Sequence, residues 1–201
     1  FLTAAYARAR GDAVAAMLRR TMRTVDFAEA REPRDVRPVM DALLEETARV
    51  DAEAATALGG VPETFPPADD ALLEGRGSER TGEDAERASR TSPRAFATGY
   101  APRACARAAV TASVVRFVLR AFSEMLGATP RFSRGGFHQT ELDLAFAKPR
   151  LSAAGAAASP ADAKAVEDLF AECVAAAAAR TDDPTPLDPA IVARILDAKQ
   201  S

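Results

Sequence analysis

The chain has no tryptophan, and aromatic residues make up only 6% of it. With so few large rings, any core must be assembled mainly from aliphatic and alanine side chains, which favours helices. One histidine, His138, and two cysteines, Cys105 and Cys173, are the only soft donors in 201 residues. Two thiols make neither a disulfide framework nor a zinc site, and each lies in an apolar helical stretch, so both read as buried free thiols. A single imidazole leaves few routes to acid-base or metal chemistry, because sites with nitrogen or sulfur ligands need several donors brought together. No catalytic residue, cofactor or metal is therefore expected.

A basic excess is also missing: 26 Lys and Arg face 29 Asp and Glu, for a net charge of -3. General binders of nucleic acid or of anionic membranes carry the opposite balance. Lysine itself is nearly absent, at Lys148, Lys164 and Lys199 only. So much arginine beside so much alanine reads as a GC-rich genome rather than as a function. No run of 18 uncharged apolar residues is present, so no transmembrane segment is expected. The start at Phe1, without a basic-then-apolar leader, reads as a piece of a parent chain that extends upstream.

What is present is helical periodicity. EPRDVRPVMDALLEETARVD, Glu32 to Asp51, is the best-defined stretch. Pro33 and Pro38 lack an amide hydrogen and are tolerated only where no helical partner is needed, so they place the start of a helix. Val36, Met40, Leu43, Thr47, Val50, Ala54 and Ala57 then recur at three- and four-residue steps, widened by Val39, Leu44 and Leu58, until Gly59 and Gly60 end it. An earlier helix runs to about Met22 despite Gly11, with Leu2, Tyr6, Ala9, Ala13 and Met17 as its face and Val14 and Leu18 flanking it. Residues 59–101 contain GRGSERTGEDAERASRTSP, which has no apolar face and reads as a disordered insertion.

Ala104 to Leu126 is the strongest core segment, with Val110, Val114, Phe117, Val118, Ala121, Phe122 and Met125 at helical spacing and Gly127 and Pro130 beyond. Arg131 to Gly136 reads as a glycine hinge, and FHQTELDLAFA as a short helix ending before Pro149, with a strand as its alternative. SAAGAAAS reads as a small-residue linker. Ser159 as N-cap and Pro160 at the first helical position open a fifth helix through Val166, Leu169, Phe170, Cys173 and Val174 to Arg180. Asp188 and Pro189 repeat that signal for a last helix, Ile191 to Lys199. The expected fold is an all-α, elongated bundle of about six helices, divided as 1–58, the insertion 59–101, and 102–201.

Candidate chemistry is sparse along this pattern. Asp41, Glu45 and Glu46 lie on the polar side of an amphipathic helix, where a solvated face is the default. Gly135 and Gly136 lack the preceding strand and the GKS or GKT ending of a phosphate-cradling loop, so backbone turning accounts for them. Ser78, Thr81, Ser89, Thr91 and Ser92 stand among arginines and read as solvated linker before they read as phosphate acceptors. The physical reading ends at a helical bundle suited to interaction rather than catalysis.

Three separated stretches go further. RTVDF with EPRDVRPVM and EETARVD, then FSRGGFHQTELD, then TDDPTPLDPAIV, resemble in order and spacing the vacuolar protein sorting-associated protein fifty-one family, the small tethering subunit of the GARP and EARP complexes. The positions that carry the resemblance are Asp26, Glu32, Pro33, Arg34, Arg37, Met40, Phe132, Arg134, Gly136, Gln139, Asp143, Pro184, Pro186 and Pro189. Phe27 stands where that family usually has tryptophan, Asp41 and Ala42 replace a basic pair, and residues 61–99 have no counterpart.

The resemblance implies the C-terminal part of a helical-rod tethering subunit acting in endosome-to-trans-Golgi retrograde transport by protein-protein assembly with its sister subunits. It implies a cytoplasmic protein, peripheral at trans-Golgi network and recycling endosome membranes. It also implies that SNARE binding and the subunit-joining coiled coil belong to the N-terminal part of the parent and not to this segment. A generic helical adaptor, its matches coincidental, is the alternative reading.

Overall fold

A computed structural model of the chain describes residues 2–58 and 103–200. Six helices account for most of them: α1 Leu2–Met22, α2 Pro38–Leu58, α3 Arg103–Ala128, α4 Arg134–Ala158, α5 Pro160–Ala178 and α6 Pro189–Gln200. No strand occurs among the described residues, and a single parallel bridge joins Phe132 to Thr181. The fold is all-α, as the periodicity predicts. The expected insertion, its serines and threonines, and the side chain of Cys105 lie outside the described residues.

α3 is the central element, and α1, α2, α4 and α5 all pack on it. Its valines explain why: Val110, Val114, Val115 and Val118 are buried together with Leu119, Phe122 and Leu126, so apolar surface faces several directions at once. Each large side chain so buried contributes about 1.5–3 kcal/mol. Phe117 is only half-buried. It lies against α1, where a Cβ on Gly11 would come within 2.8 Å of its ring.

That close approach turns α1 away from the expected face. Ala9 and Ala13 are exposed and Tyr6 and Met17 only half-buried, whereas the flanking Val14 and Leu18 are buried together with Ala7, Ala15 and Met22. The small residues Ala7 and Gly11 let α1 sit close to α3. On α2 the expected stripe is buried from Val36 to Ala54, whereas Ala57 is exposed and Leu58 half-buried.

The second half of the chain corrects the boundaries. Arg131 to Gly136 is not a hinge, and the helix does not stop before Pro149: α4 runs unbroken from Arg134 to Ala158, taking in the segment read as a linker. Pro149 is exposed, while Ala147, Leu151 and Gly155 around it are buried, so tertiary packing holds the helix through a residue that disfavours it. The small residues beyond it are a contact surface. A Cβ on Gly155 would meet Val166 Cγ2 at 3.0 Å and Asp162 O at 3.3 Å, so α4 and α5 pack as a tight antiparallel pair.

Ser159 alone makes the turn between them. Its N–H donates to Gly155 O (3.3 Å), closing α4, and its Oγ accepts from Asp162 N (3.0 Å), opening α5 as expected.

Candidate functional site

The three stretches of the resemblance are far apart in the chain, and the first half of α4 is where they meet. Ser133 is the N-cap, its Oγ accepting from Gly136 N at 3.1 Å. Its N–H donates to Phe27 O at 2.8 Å, and its hydroxyl points at Ala30 O, 2.8 Å away. The segment 27–31 therefore lies directly on the first turn of α4. A Cβ on Gly136 would sit 2.3 Å from Phe27 O, and one on Gly135 would sit 2.4 Å from the Arg31 carbonyl carbon. These glycines do not turn the backbone; they make room for another segment.

Beneath this contact the Phe27 and Phe132 rings pack with centroids 4.8 Å apart. The Arg37 guanidinium lies over the Phe27 ring at 5.1 Å, where the aromatic face attracts a cation. Arg37 also pairs through Nε with Asp143, a wholly buried carboxylate, and its backbone N–H donates to the same group at 3.1 Å. Gln139 Nε2 donates both to Asp143 and to Asp35 O, each at 3.0 Å. Burial pushes the Asp143 carboxyl above its ordinary value, against the pull of Arg37 and these donors.

His138 is 2% exposed and ties the third stretch in. Its Nε2 lies 2.9 Å from Thr185 O, and since a carbonyl can only accept, that nitrogen carries the N–H. Its Nδ1 lies 2.6 Å from Glu32 Oε2. One residue thus bridges α4, the approach to α2 and the segment before α6. Leu187, itself buried, donates its N–H to Glu141 Oε2 at 2.8 Å, and Phe132 N donates to Arg180 O at 2.9 Å. Arg131 pairs with Asp182.

The structure therefore brings Glu32, Arg37, Phe132, Gly136, Gln139 and Asp143 into one junction, with Pro33 buried beside Glu32. Asp26 holds the turn before Phe27, its Oδ1 accepting from Ala28 N at 2.9 Å. Met40 belongs to the core at 1% exposure. Arg134 reaches Glu32 only at 3.9 Å, both being exposed, and Arg34 is exposed as well. Pro184, Pro186 and Pro189 are exposed and punctuate the strap that Thr185 and Leu187 dock.

Ser133, Gly135, His138, Glu141 and Thr185 are the junction residues that sequence reasoning missed. A serine three positions before Gly136 is an N-cap signal that could have flagged the first; nothing in the sequence pairs His138 with Glu32 and Thr185.

Of the candidate acids, Glu45 is exposed, Glu46 pairs with Arg49 at 2.7 Å, and Asp41 holds Lys199 at 3.1 Å. Among the described residues no group of three or more His, Cys, Asp or Glu could hold a metal ion, and no helix is long and apolar enough to cross a membrane. What the junction can do chemically is hold segments in register: Asp143, Gln139, His138 and Ser133 are spent on neighbouring segments, while Nη1 and Nη2 of Arg37 are buried without a hydrogen-bond partner among the described residues. No family model, curated protein or solved structure matches the chain.

Proposed function

We propose that this chain is a helical module of a small tethering subunit of the GARP and EARP type, working by assembly with sister subunits in endosome-to-trans-Golgi transport. The observation that supports the reading is convergence. Positions that suggest the family from two distant stretches meet directly, Arg37 pairing with Asp143 at a separation of 106, and the third stretch docks beside them through Thr185 O on His138 and Leu187 N on Glu141.

In this reading Pro33, Arg34 and Pro38 form a rigid corner whose angle is fixed by α4, and the helix faces outside the junction meet the sister subunits. A subunit of this kind acts at the cytoplasmic face of trans-Golgi and recycling endosome membranes without spanning them. The test is affinity purification of the endogenously tagged full-length parent with quantitative mass spectrometry. Recovery of the three sister subunits of a GARP-type complex is the expected result; their absence from an otherwise intact preparation refutes it.

A further inference from the structure

Thr185 has a property that the tethering reading does not use. It is exposed, precedes Pro186, and lies in residues 182–188, which form neither helix nor strand. The other described Ser/Thr–Pro pairs are engaged: Ser159 caps α5, and Thr129 donates to Met125 O at 3.1 Å on the end of α3, both half-buried. Among the described Ser/Thr–Pro pairs only Thr185 is on an exposed, non-helical segment, its hydroxyl held by the exposed Asp183, the form in which a kinase cleft can take up a substrate.

The same residue fastens the strap. Its hydroxyl donates to Asp183 Oδ1 at 2.6 Å, and its carbonyl accepts from the buried His138 at 2.9 Å. Two residues on, Leu187 docks on Glu141. Behind the strap, α6 lies over an apolar groove of about 660 Å³ lined by Leu144, Phe170, Val174, Leu187, Val192 and Leu196. Its own Ile191, Val192, Ile195 and Leu196 are only half-buried, and Lys199 ties its far end to Asp41.

We propose that Thr185 is a phosphoryl acceptor for a proline-directed protein kinase, and that the phosphate detaches the 182–188 strap, with α6, from α4. The Thr185 oxygen forms a bond to the γ-phosphorus of a nucleoside triphosphate as the bond to the β-phosphate oxygen breaks. The diphosphate leaves, and the hydroxyl proton passes to the kinase's base. The product oxygen no longer donates to Asp183, and a group of nearly two negative charges stands beside that carboxylate. Asp182 and Asp188 are within three residues, Glu141 holds the adjoining Leu187, and Glu32 lies across the His138 ring. Of the cations on the neighbouring segments, Arg131 pairs with Asp182 and Arg134 stands 3.9 Å from Glu32, both pairs at the exposed surface, and His138 spends Nε2 on the carbonyl. Repulsion therefore acts on the element that docks α6.

The test has two arms. The full chain is incubated with a MAP-kinase-type proline-directed kinase and magnesium ATP, and the phosphate is mapped by mass spectrometry, with Thr185→Ala as control. Separately, the full chain carrying phosphothreonine at 185 is made by ligating a synthetic 173–201 segment at the native Cys173, and its amide exchange is compared with that of the unphosphorylated ligated chain. The expected results are incorporation at Thr185 that is lost in the variant, and exchange over residues 186–200 faster by about tenfold or more, with α3 unchanged. No incorporation at Thr185, or exchange over 186–200 unaltered by the phosphate, overturns the proposal. Neither arm involves a sister subunit, so this inference and the tethering reading fail independently.

Discussion

Replacing Gly136 by alanine pits two opposing effects against each other, and the structure decides which wins. In a free helix the change stabilises by about 0.5–1 kcal/mol, because glycine loses more backbone freedom on folding. Here the new methyl would lie 2.3 Å from Phe27 O and 3.2 Å from Phe27 C, both backbone atoms that cannot swing aside as a side chain can. The 27–31 segment must lift from α4. Forcing an extra methyl into a packed site costs about 1–3 kcal/mol. The lifted carbonyl is also the acceptor of Ser133 N–H at 2.8 Å, a hydrogen bond whose loss adds about 0.5–1.5 kcal/mol. Net destabilisation of about 0.5–4 kcal/mol, centred near 2 kcal/mol, is expected, and the central value corresponds to a fall in Tm of roughly 4–8 °C for a domain of this size.

Gly127 supplies the control. It lies in the last turn of α3, and a Cβ there meets nothing within 4 Å. Gly127→Ala should therefore be neutral or stabilise by about 0.5 kcal/mol. Both variants are compared with the parent by urea unfolding followed by circular dichroism at 222 nm, requiring equal slopes so that the midpoints report stability. Opposite signs at the two glycines are the expected outcome. If Gly136→Ala is as stable as the parent while Gly127→Ala gains, the 27–31 segment is not seated on α4, and the junction is wrong.

Three further outcomes follow from the same contacts. Arg37→Ala strands the buried Asp143 carboxylate and should cost about 3–5 kcal/mol in urea unfolding; a loss below ~1 kcal/mol would show that the pair is not buried as described. The Arg107 guanidinium beside Asp51, helped by the Thr111 hydroxyl and opposed by partial burial, holds the Asp51 carboxyl below its ordinary value. Because the folded value is the lower one, this α2–α3 tie stabilises above the ordinary aspartate range and is lost as pH falls through the folded value. The pair is partly exposed, so Asp51→Asn should cost only about 0.2–1 kcal/mol at neutral pH, and the difference should vanish as pH falls through the folded value; a difference independent of pH refutes the assignment. Burial, with a smaller effect from Glu172, pushes the Cys173 thiol up to about 12, so in a Cys105→Ser background maleimide should label it only after unfolding, and rapid labelling of Cys173 in the native chain would contradict its position between α5 and α3.

How much of this was legible in the sequence depends on whether the deciding contact is local. The limits of α2 and the opening of α5 were readable because Pro38, Ser159 and Pro160 act on their own backbone. α4 was misread because the rule for Pro149 and for a run of small residues is also local, whereas their context is not. The exposed proline is carried by buried neighbours, and within SAAGAAAS it is Gly155 that must be small because α5 lies against it, with Val166 at 3.0 Å from where its Cβ would be. The same substitution of distant for local cause explains Gly135 and Gly136. A pair of glycines after an arginine says only that a side chain is unwelcome there, and the obstacle, the carbonyls of Phe27 to Arg31, is about a hundred residues away. The junction positions could be picked out one stretch at a time, yet what makes them a unit is that Arg37 needs Asp143, His138 needs both Glu32 and Thr185, and Gly136 needs Phe27. Those dependencies run across the chain in both directions, so a change at any one of the segments should be felt at the other two, which is the physical content of calling them one site.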